Sequence, residues 1–311
     1  MKKKNKNNLK KILIMILLVF SLTGCTTILK DSKGKAVQNK TTGQSLTKNI
    51  LCQPESKETI ALYKKNKIDL DKMPKCSEMP IVAGEYEGIW TTIFVKPLAW
   101  IIIQIGEFFK NYGVAIIITT LLIRIVTMPV TKKAALQSEN LKKAQPELER
   151  LEKKYTNKTD QNSMMQKNQE MLAIYQKYQI NPMSSCLFSL LQIPLFFAFY
   201  EAMNRLPAIF ESSFLGFQLG TNPMTALSHG KILYLIFIVL VILTSYYSFK
   251  LNSGASMSKE QEKQMKMMSN FMTIFIGIAS LTLSTGIAIY WIVNSGFTIL
   301  QNIWVKRRKA A

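Results

Sequence analysis

Apolar and polar positions fall into long blocks rather than into the short periods of a soluble core. Runs such as Gly113 to Val130 and Ile232 to Leu243 are too continuous for helices on a soluble surface. A chain that crosses a bilayer must satisfy its backbone internally, so these blocks predict membrane-spanning helices. The pattern places five of them, at 111–131, 183–205, 231–249, 269–284 and 286–305. The fourth is short. The stretch Asn270 to Ser284 rises only about 22 Å at helical pitch, against roughly 30 Å of hydrocarbon, so a thinned bilayer beside it is expected. Thr285-Gly286 supplies the tight turn into the fifth span.

The polar block 132–182 carries a helical period of its own. Leu136, Leu141, Leu148, Leu151 and Tyr155 recur near helical spacing. Beyond Asn157-Lys158-Thr159-Asp160, so do Met164, Met165, Met171, Leu172, Ile174, Tyr175 and Tyr178. Two helices folded back as an antiparallel hairpin are expected, ended by Asn181-Pro182. Residues 26–80 show no such period and few aromatics, and predict a poorly ordered tether or a minimal cap.

The N-terminus changes the topology. Lysines at 2, 3, 4, 6, 10 and 11 precede an apolar run from Ile12 to Phe20 and then Leu22-Thr23-Gly24-Cys25. This is the order of a secretory signal, residues 1–24, and the tetrapeptide resembles the bacterial lipobox. That resemblance implies cleavage before Cys25, a lipid on its sulfur, and an extracytoplasmic segment over 25–88. Cys52 and Cys76 lie in that segment, and a disulfide and two free thiols are both open readings. Cys186 reads as a small packing residue.

Charge then decides between two readings of 89–110, where Lys96-Pro97 interrupts an otherwise apolar stretch. As a sixth span it would invert everything after it; as an interfacial amphipathic helix it lies on the outer surface. With Cys25 outside and five spans, loops 132–182 and 250–268 and the tail 306–311 face the cytoplasm. All three are basic, whereas loop 206–230, facing outward, has no Lys or Arg. The interfacial reading is adopted. The net charge of +21 therefore serves topology and contact with anionic lipid or ribosomal RNA, not the recognition of nucleic acid by a soluble domain.

Arg124 is the residue that carries chemistry. It sits inside IIITTLLIRIVTMPV, about 12 Å along the helix from Lys132. An unpaired guanidinium in hydrocarbon costs at least about 2.5 kcal/mol. Glu201, near the outer end of the second span, is too far in depth to pair with it. Arg124 must either snorkel to the inner surface or face a wet groove. Neutral polar residues suited to such a groove are Thr119, Thr120, Gln192, Thr244 and Ser245, with Tyr246, Ser248, Tyr290, Trp291 and Asn294. None forms a nucleophile with an activating base, no His or Cys cluster suggests a metal, and GxxxxGK[ST] is missing. Neither enzyme chemistry nor a cofactor is expected.

KPLAWIIIQIGEFF, the Arg124 span with MPVTKKAALQSENLKKAQPELERLEKKY, and YQKYQINPMSSCLFSLLQIPLFFAFYEAM resemble the YidC/Oxa/Alb membrane protein insertases. GIAIYWIVNSGFTILQN is similar to that family's last span. With the lipobox, the likeness is to the Gram-positive lipoprotein branch. It implies an all-α membrane protein whose five-helix insertase core holds a hydrophilic groove, open to the cytoplasm and closed outside, with Arg124 and Trp291 in it. Ser248 is the nearest polar match to the family's groove glutamine, and Ser284-Thr285-Gly286 lacks the family's proline. The partners implied are nascent membrane proteins, the Sec translocon, and the ribosome or signal-recognition machinery through 132–182. A hairpin that merely caps the groove is an equal reading, and the short basic tail adds little to ribosome binding. The rival classes are a small-anion transporter or channel and a non-catalytic assembly factor. The two halves of the chain show no repeat that would favour the transporter.

Overall fold

The structure, a computed structural model, describes residues 26–82, 86–158, 160–181, 183–252 and 259–310. The expected signal peptide and Cys25 lie outside the described residues, as do Pro182 and the side chain of Cys186. The described chain is mainly helical and divides into two compact units. One holds the chain up to Thr119 with Leu195–Tyr234 and Ser284–Ile287; the other holds Thr120–Pro194, Leu235–Leu283 and Ala288–Ala311.

In the first unit, of the two readings of residues 26–80 as a tether or a minimal cap, the structure has the cap, and the expected poor order is corrected. Residues 26–82 form a folded cap. Antiparallel bridges join Ile28 to Thr47, Lys30 to Ala36 and Gln38 to Ser45. Asp31 turns the first loop by accepting from the amides of Lys33 and Lys35, both at 2.9 Å. Helix α1, Lys57–Lys65, lies over the bridges. Leu29, Val37, Leu46, Ile50, Tyr63 and Leu70 are buried together, and Tyr63 donates to the Thr47 carbonyl at 2.7 Å. Cys52 and Cys76 form a disulfide. The bridges are too short to give a period, and the core is completed by Phe210, which lies far along the chain. A core this small gains from a covalent staple.

The cap rests on the end of helix α5, Met183–Arg205, and on the loop after it. Arg205 is fully buried; its Nε donates to the Asn49 carbonyl and its Nη2 to Glu87 Oε1, both at 2.7 Å. Asn49 Nδ2 donates to the other oxygen of Glu87 at 2.9 Å. The Leu51 amide donates to the Arg205 carbonyl at 2.9 Å. Glu211 Oε2 accepts from the amides of Glu55 and Ser56, just before α1. Glu211 and Arg205 thus take up backbone groups that the cap leaves open, while Glu87 ties the side chains of Arg205 and Asn49 together.

Lys96-Pro97 does not interrupt the apolar stretch before the first span. A π-helical turn over Thr91–Val95 runs directly into helix α2, Lys96–Phe109, with Pro97 in its first turn. Pro97 therefore lies inside a continuous helical run, where its missing N–H removes one bond of the ladder, and the π turn just before it falls where such a break is accommodated. The same unit holds the loop after α5: helix α6 (Pro207–Phe210), a hairpin of strands β1 (Ser213–Phe214) and β2 (Phe217–Gln218), and helix α7 (Pro223–Ser228). Leu215 and Gly216 at φ +50° and +82° make its tight turn. Thr285 and Gly286 donate their amides to Thr221 and Leu219 carbonyls, each at 2.9 Å, so the proline-free turn is held by this loop.

Helix α3, Tyr112–Tyr155, is one helix of 44 residues in which the first span and the first arm of the polar block are continuous. Pro129 and Pro146 lie inside it. In the second unit, helix α4 (Gln161–Lys177) folds back along α3, with Asp160 capping it through the Ser163 amide at 2.9 Å. Ala144, Leu148 and Tyr175 are the buried seam, with Leu141, Met171, Ile174 and Tyr178 beside them. Met164, Met165 and Leu172 are exposed, so the apolar stripe read from the sequence is narrower than its residue list. Glu170 accepts from Lys154 Nζ and Tyr155 OH at 2.6 and 2.8 Å; Glu147 accepts from Lys177 Nζ and Tyr178 OH at 2.5 and 2.8 Å.

Helices α8 (Leu235–Asn252) and α9 (Lys259–Ala279) pack side by side in the same unit. They approach closely at Gly277, where an added Cβ would lie 3.0 Å from Ile242. The apolar part of α9 is Met265–Ala279, and the helix stops there rather than at 284. Ser280 Oγ bonds back to the Gly277 carbonyl at 2.6 Å and helps end it. Helix α10, Thr285–Ala310, completes the chain. Among the described residues, Thr91–Phe109, Tyr112–Tyr155 and Ile232–Leu251 are long and apolar enough to cross a membrane.

Candidate substrate groove

Arg124 leaves α3 into the interior of the second unit. Its side chain is 4% exposed, so it does not reach the protein surface as a snorkelling arginine would. Nε has no hydrogen-bond partner among the described residues. Tyr290 of α10 stands within electrostatic reach of the guanidinium, and its phenol is hydrogen-bonded with the side chain of Gln192 from α5. Three helices thus place a cation, a phenol and an amide together without a carboxylate. Glu201 belongs to the other unit, where it accepts from Trp90 Nε1 at 3.1 Å.

A second polar contact lies between α8 and α10. Trp291 Nε1 donates to Ser245 Oγ at 2.8 Å, with Ser245 buried. Ser248, one turn on, is 9% exposed. The expected match to the family glutamine singled out Ser248, but the side chain that meets Trp291 is Ser245. Thr244 donates back to the Leu240 carbonyl at 2.7 Å, so its hydroxyl is used within its own helix. Tyr246 is exposed and Asn294 half-buried. Thr120 is buried in this unit, whereas Thr119 is the last residue of the other unit's segment, buried with its Oγ1 unpartnered among the described residues.

The sequence reading missed a polar line farther along α10. Ser295, Thr298 and Gln301 are buried, and Gln301 Nε2 donates to Thr131 Oγ1 of α3 at 2.8 Å. The signal was available: Asn294, Thr298 and Gln301 recur at helical spacing inside an apolar span. At the end of that line Lys132 Nζ lies 5.0 Å from the centre of the Trp304 ring. The arrangement offers donors, a fixed cation and stacking faces. The described residues hold no nucleophile paired with a base here, and no cluster of His, Cys, Asp or Glu that could bind a metal.

The family model described as 60Kd inner membrane protein matches residues 104–311. The membrane protein insertase YidC of Oceanobacillus iheyensis is 34% identical over 242 residues, covering 75% of this chain and 90% of that protein. Membrane protein insertase YidC 2 of Bacillus anthracis is 35% identical over 234 residues, 74% and 87% of the two chains. Membrane protein insertase MisCA of Bacillus subtilis is 32% identical over 234 residues, 74% and 85% of the two chains. A crystal structure of an active YidC insertase with its first transmembrane domain resolved superimposes with a TM-score of 0.50 at 21% identity, over 78% of this chain and 49% of that one. That likeness concerns the fold. The long matches at about one third identity settle descent: the chain belongs to the YidC family of membrane protein insertases.

Proposed function

We propose that this chain inserts nascent membrane proteins by receiving them in a hydrated groove around Arg124, and that it does so without chemistry on the substrate. The observation that carries the reading is the Arg124 guanidinium itself, enclosed by protein and with an N–H open among the described residues. A buried donor of this kind is served by water or by an acceptor on a ligand. Membership of an insertase family makes the ligand a polypeptide. Gln192, Tyr290, Trp291, Thr244, Ser248 and Asn294 line or flank the groove in this proposal, and Ser245 orients Trp291.

A short polar segment of a substrate cannot enter bare hydrocarbon, because its peptide groups lose water without replacement. A wet groove reaching partway through shortens that path. Arg124 attracts acidic residues of the segment, and the short apolar part of α9 leaves a thinner barrier beside it. The substrate's apolar span then passes into lipid. No nucleotide is consumed.

The topology that goes with this reading has five spans, α2 at the outer interface, a lipid on Cys25 outside, and the α3–α4 hairpin and C-terminus in the cytoplasm. The basic loops support it, and a disulfide in the cap suits an oxidising side of the membrane. The hairpin is the proposed contact for the ribosome or signal-recognition machinery, and the Sec translocon a proposed neighbour. A photo-crosslinker at Trp291 tests the groove. It should capture a single-span nascent chain held on a stalled ribosome; capture of stable subunits alone would replace the reading by that of an assembly factor.

A further inference from the structure

The segment from Asn49 to Gln53 is held on two sides. On one side Arg205 takes the Asn49 carbonyl and gives its own carbonyl to the Leu51 amide, while Glu87 bridges Arg205 and the Asn49 side chain. On the other side Cys52 is bonded to Cys76, Gln53 pairs with Lys75, and the Gln53 amide donates to the Pro74 carbonyl at 2.9 Å. The residues that seat the cap on α5, Asn49 and Leu51, are therefore followed directly, within five positions, by those that staple the cap to itself, Cys52 and Gln53. Cys52 is 0% and Cys76 4% exposed. With the cap seated, both cysteines are almost wholly enclosed by protein.

We infer that the Cys52–Cys76 bond is a maturation lock: oxidation of this pair commits the cap to its seat on Arg205, and the seat then shields the bond from reduction. The oxidant is a protein disulfide on the outer side. One cysteine thiolate attacks it, forming a mixed disulfide and releasing one of its sulfurs as thiolate. The second cysteine thiolate displaces the other sulfur, so the pair loses two electrons and two protons and the oxidant becomes a dithiol. Burial requires this exchange to precede seating. In such a lock oxidation favours seating, and by reciprocity seating favours oxidation by the same factor.

The inference rests on the outer placement of the cap proposed above, but not on the groove or on insertion. Replacing both cysteines by serine is the obvious test, yet it can unfold the cap outright. The reciprocal test avoids this. Protoplasts carrying the full chain in a Cys186→Ser background are treated with a membrane-impermeant phosphine, and free thiols are counted over time with an impermeant maleimide polymer. The unmodified pair should be oxidised at the start and slow to reduce. Glu87→Gln, which keeps shape and removes charge, and Arg205→Ala should each speed reduction by about tenfold, because reduction of a buried bond tracks the population of the opened cap. Equal rates in the three proteins, or free thiols at Cys52 or Cys76 before treatment, would overturn the lock. Labelling that appears only after detergent would overturn the lock together with the outer placement of the cap, leaving the groove to its own crosslinking test.

Discussion

Trp291 reaches from α10 to α8 and donates its indole N–H to Ser245 at 2.8 Å, with the hydroxyl buried. Ser245→Ala removes this hydrogen bond, whose net worth is about 0.5–1.5 kcal/mol. In a Ser245→Ala background Trp291→Phe should therefore cost less than it does beside the native Ser245, because the bond is already lost. A double-mutant cycle on thermal unfolding in detergent should give a coupling of about 0.5–1.5 kcal/mol. Additive effects would show that the contact is not made. Ser248→Ala, lacking this partner, should change stability less.

Arg124 is expected to matter by charge and by shape. Arg124→Ala should slow insertion of a substrate with an acidic outer segment by about tenfold, equivalent to ~1.4 kcal/mol. Arg124→Lys should restore part of this, since a lysine keeps the charge without the planar fork. A substrate whose acidic residues are replaced by amides should be indifferent to both changes. Reconstituted liposomes with protease protection of the inserted segment supply the measurement.

The α3–α4 hairpin should loosen in acid. Glu147 is held below the usual carboxylate range chiefly by the hydrogen bonds from Lys177 and Tyr178, and Glu170 by those from Lys154 and Tyr155. A depressed folded-state value means stability that is present above the unfolded carboxylate value of about 4.3 and is lost as pH falls through the folded value. Amide exchange in α4, corrected for intrinsic rate, should show protection unchanged from pH 7 to 5 and reduced below 4.3, about the unfolded value. Glu147→Gln should abolish part of that change.

Two cap glycines share a left-handed backbone but not a neighbourhood. Gly34, at φ +76°, has open space around it, while a Cβ on Gly43, at φ +68°, would fall 2.2 Å from Thr225 Cγ2. Gly34→Ala should cost about 1–2 kcal/mol from conformation alone. Gly43→Ala should cost about 1–3 kcal/mol beyond that from overpacking, and should loosen the cap from the loop bearing Thr225. The rate of trypsin cleavage within the cap, in the full chain, compares the two.

Much of the membrane part was legible because its driving force is local. Apolar blocks such as Gly113–Val130 mark helices wherever backbone groups cannot meet water, and Arg124 stands out within one by its cost. The polar line through Thr298 and Gln301 was legible too, but only to a reading that follows helical spacing inside an apolar span. The choice of Ser245 over Ser248 was not. One turn of α8 separates them, and which one meets Trp291 depends on how α8 and α10 are rotated against each other.

By itself the sequence determined the helical class, the family and the expensive arginine, because each follows from hydrophobic runs, charge placement and motif order along the chain. Only the tertiary structure decided that residues 26–82 are a folded cap and not a tether. Their few apolar side chains close a core only with Phe210, and their open backbone groups are met by Arg205 and Glu211. Those partners lie about 150 residues away and far outside any local period, so no pattern within the segment could announce them.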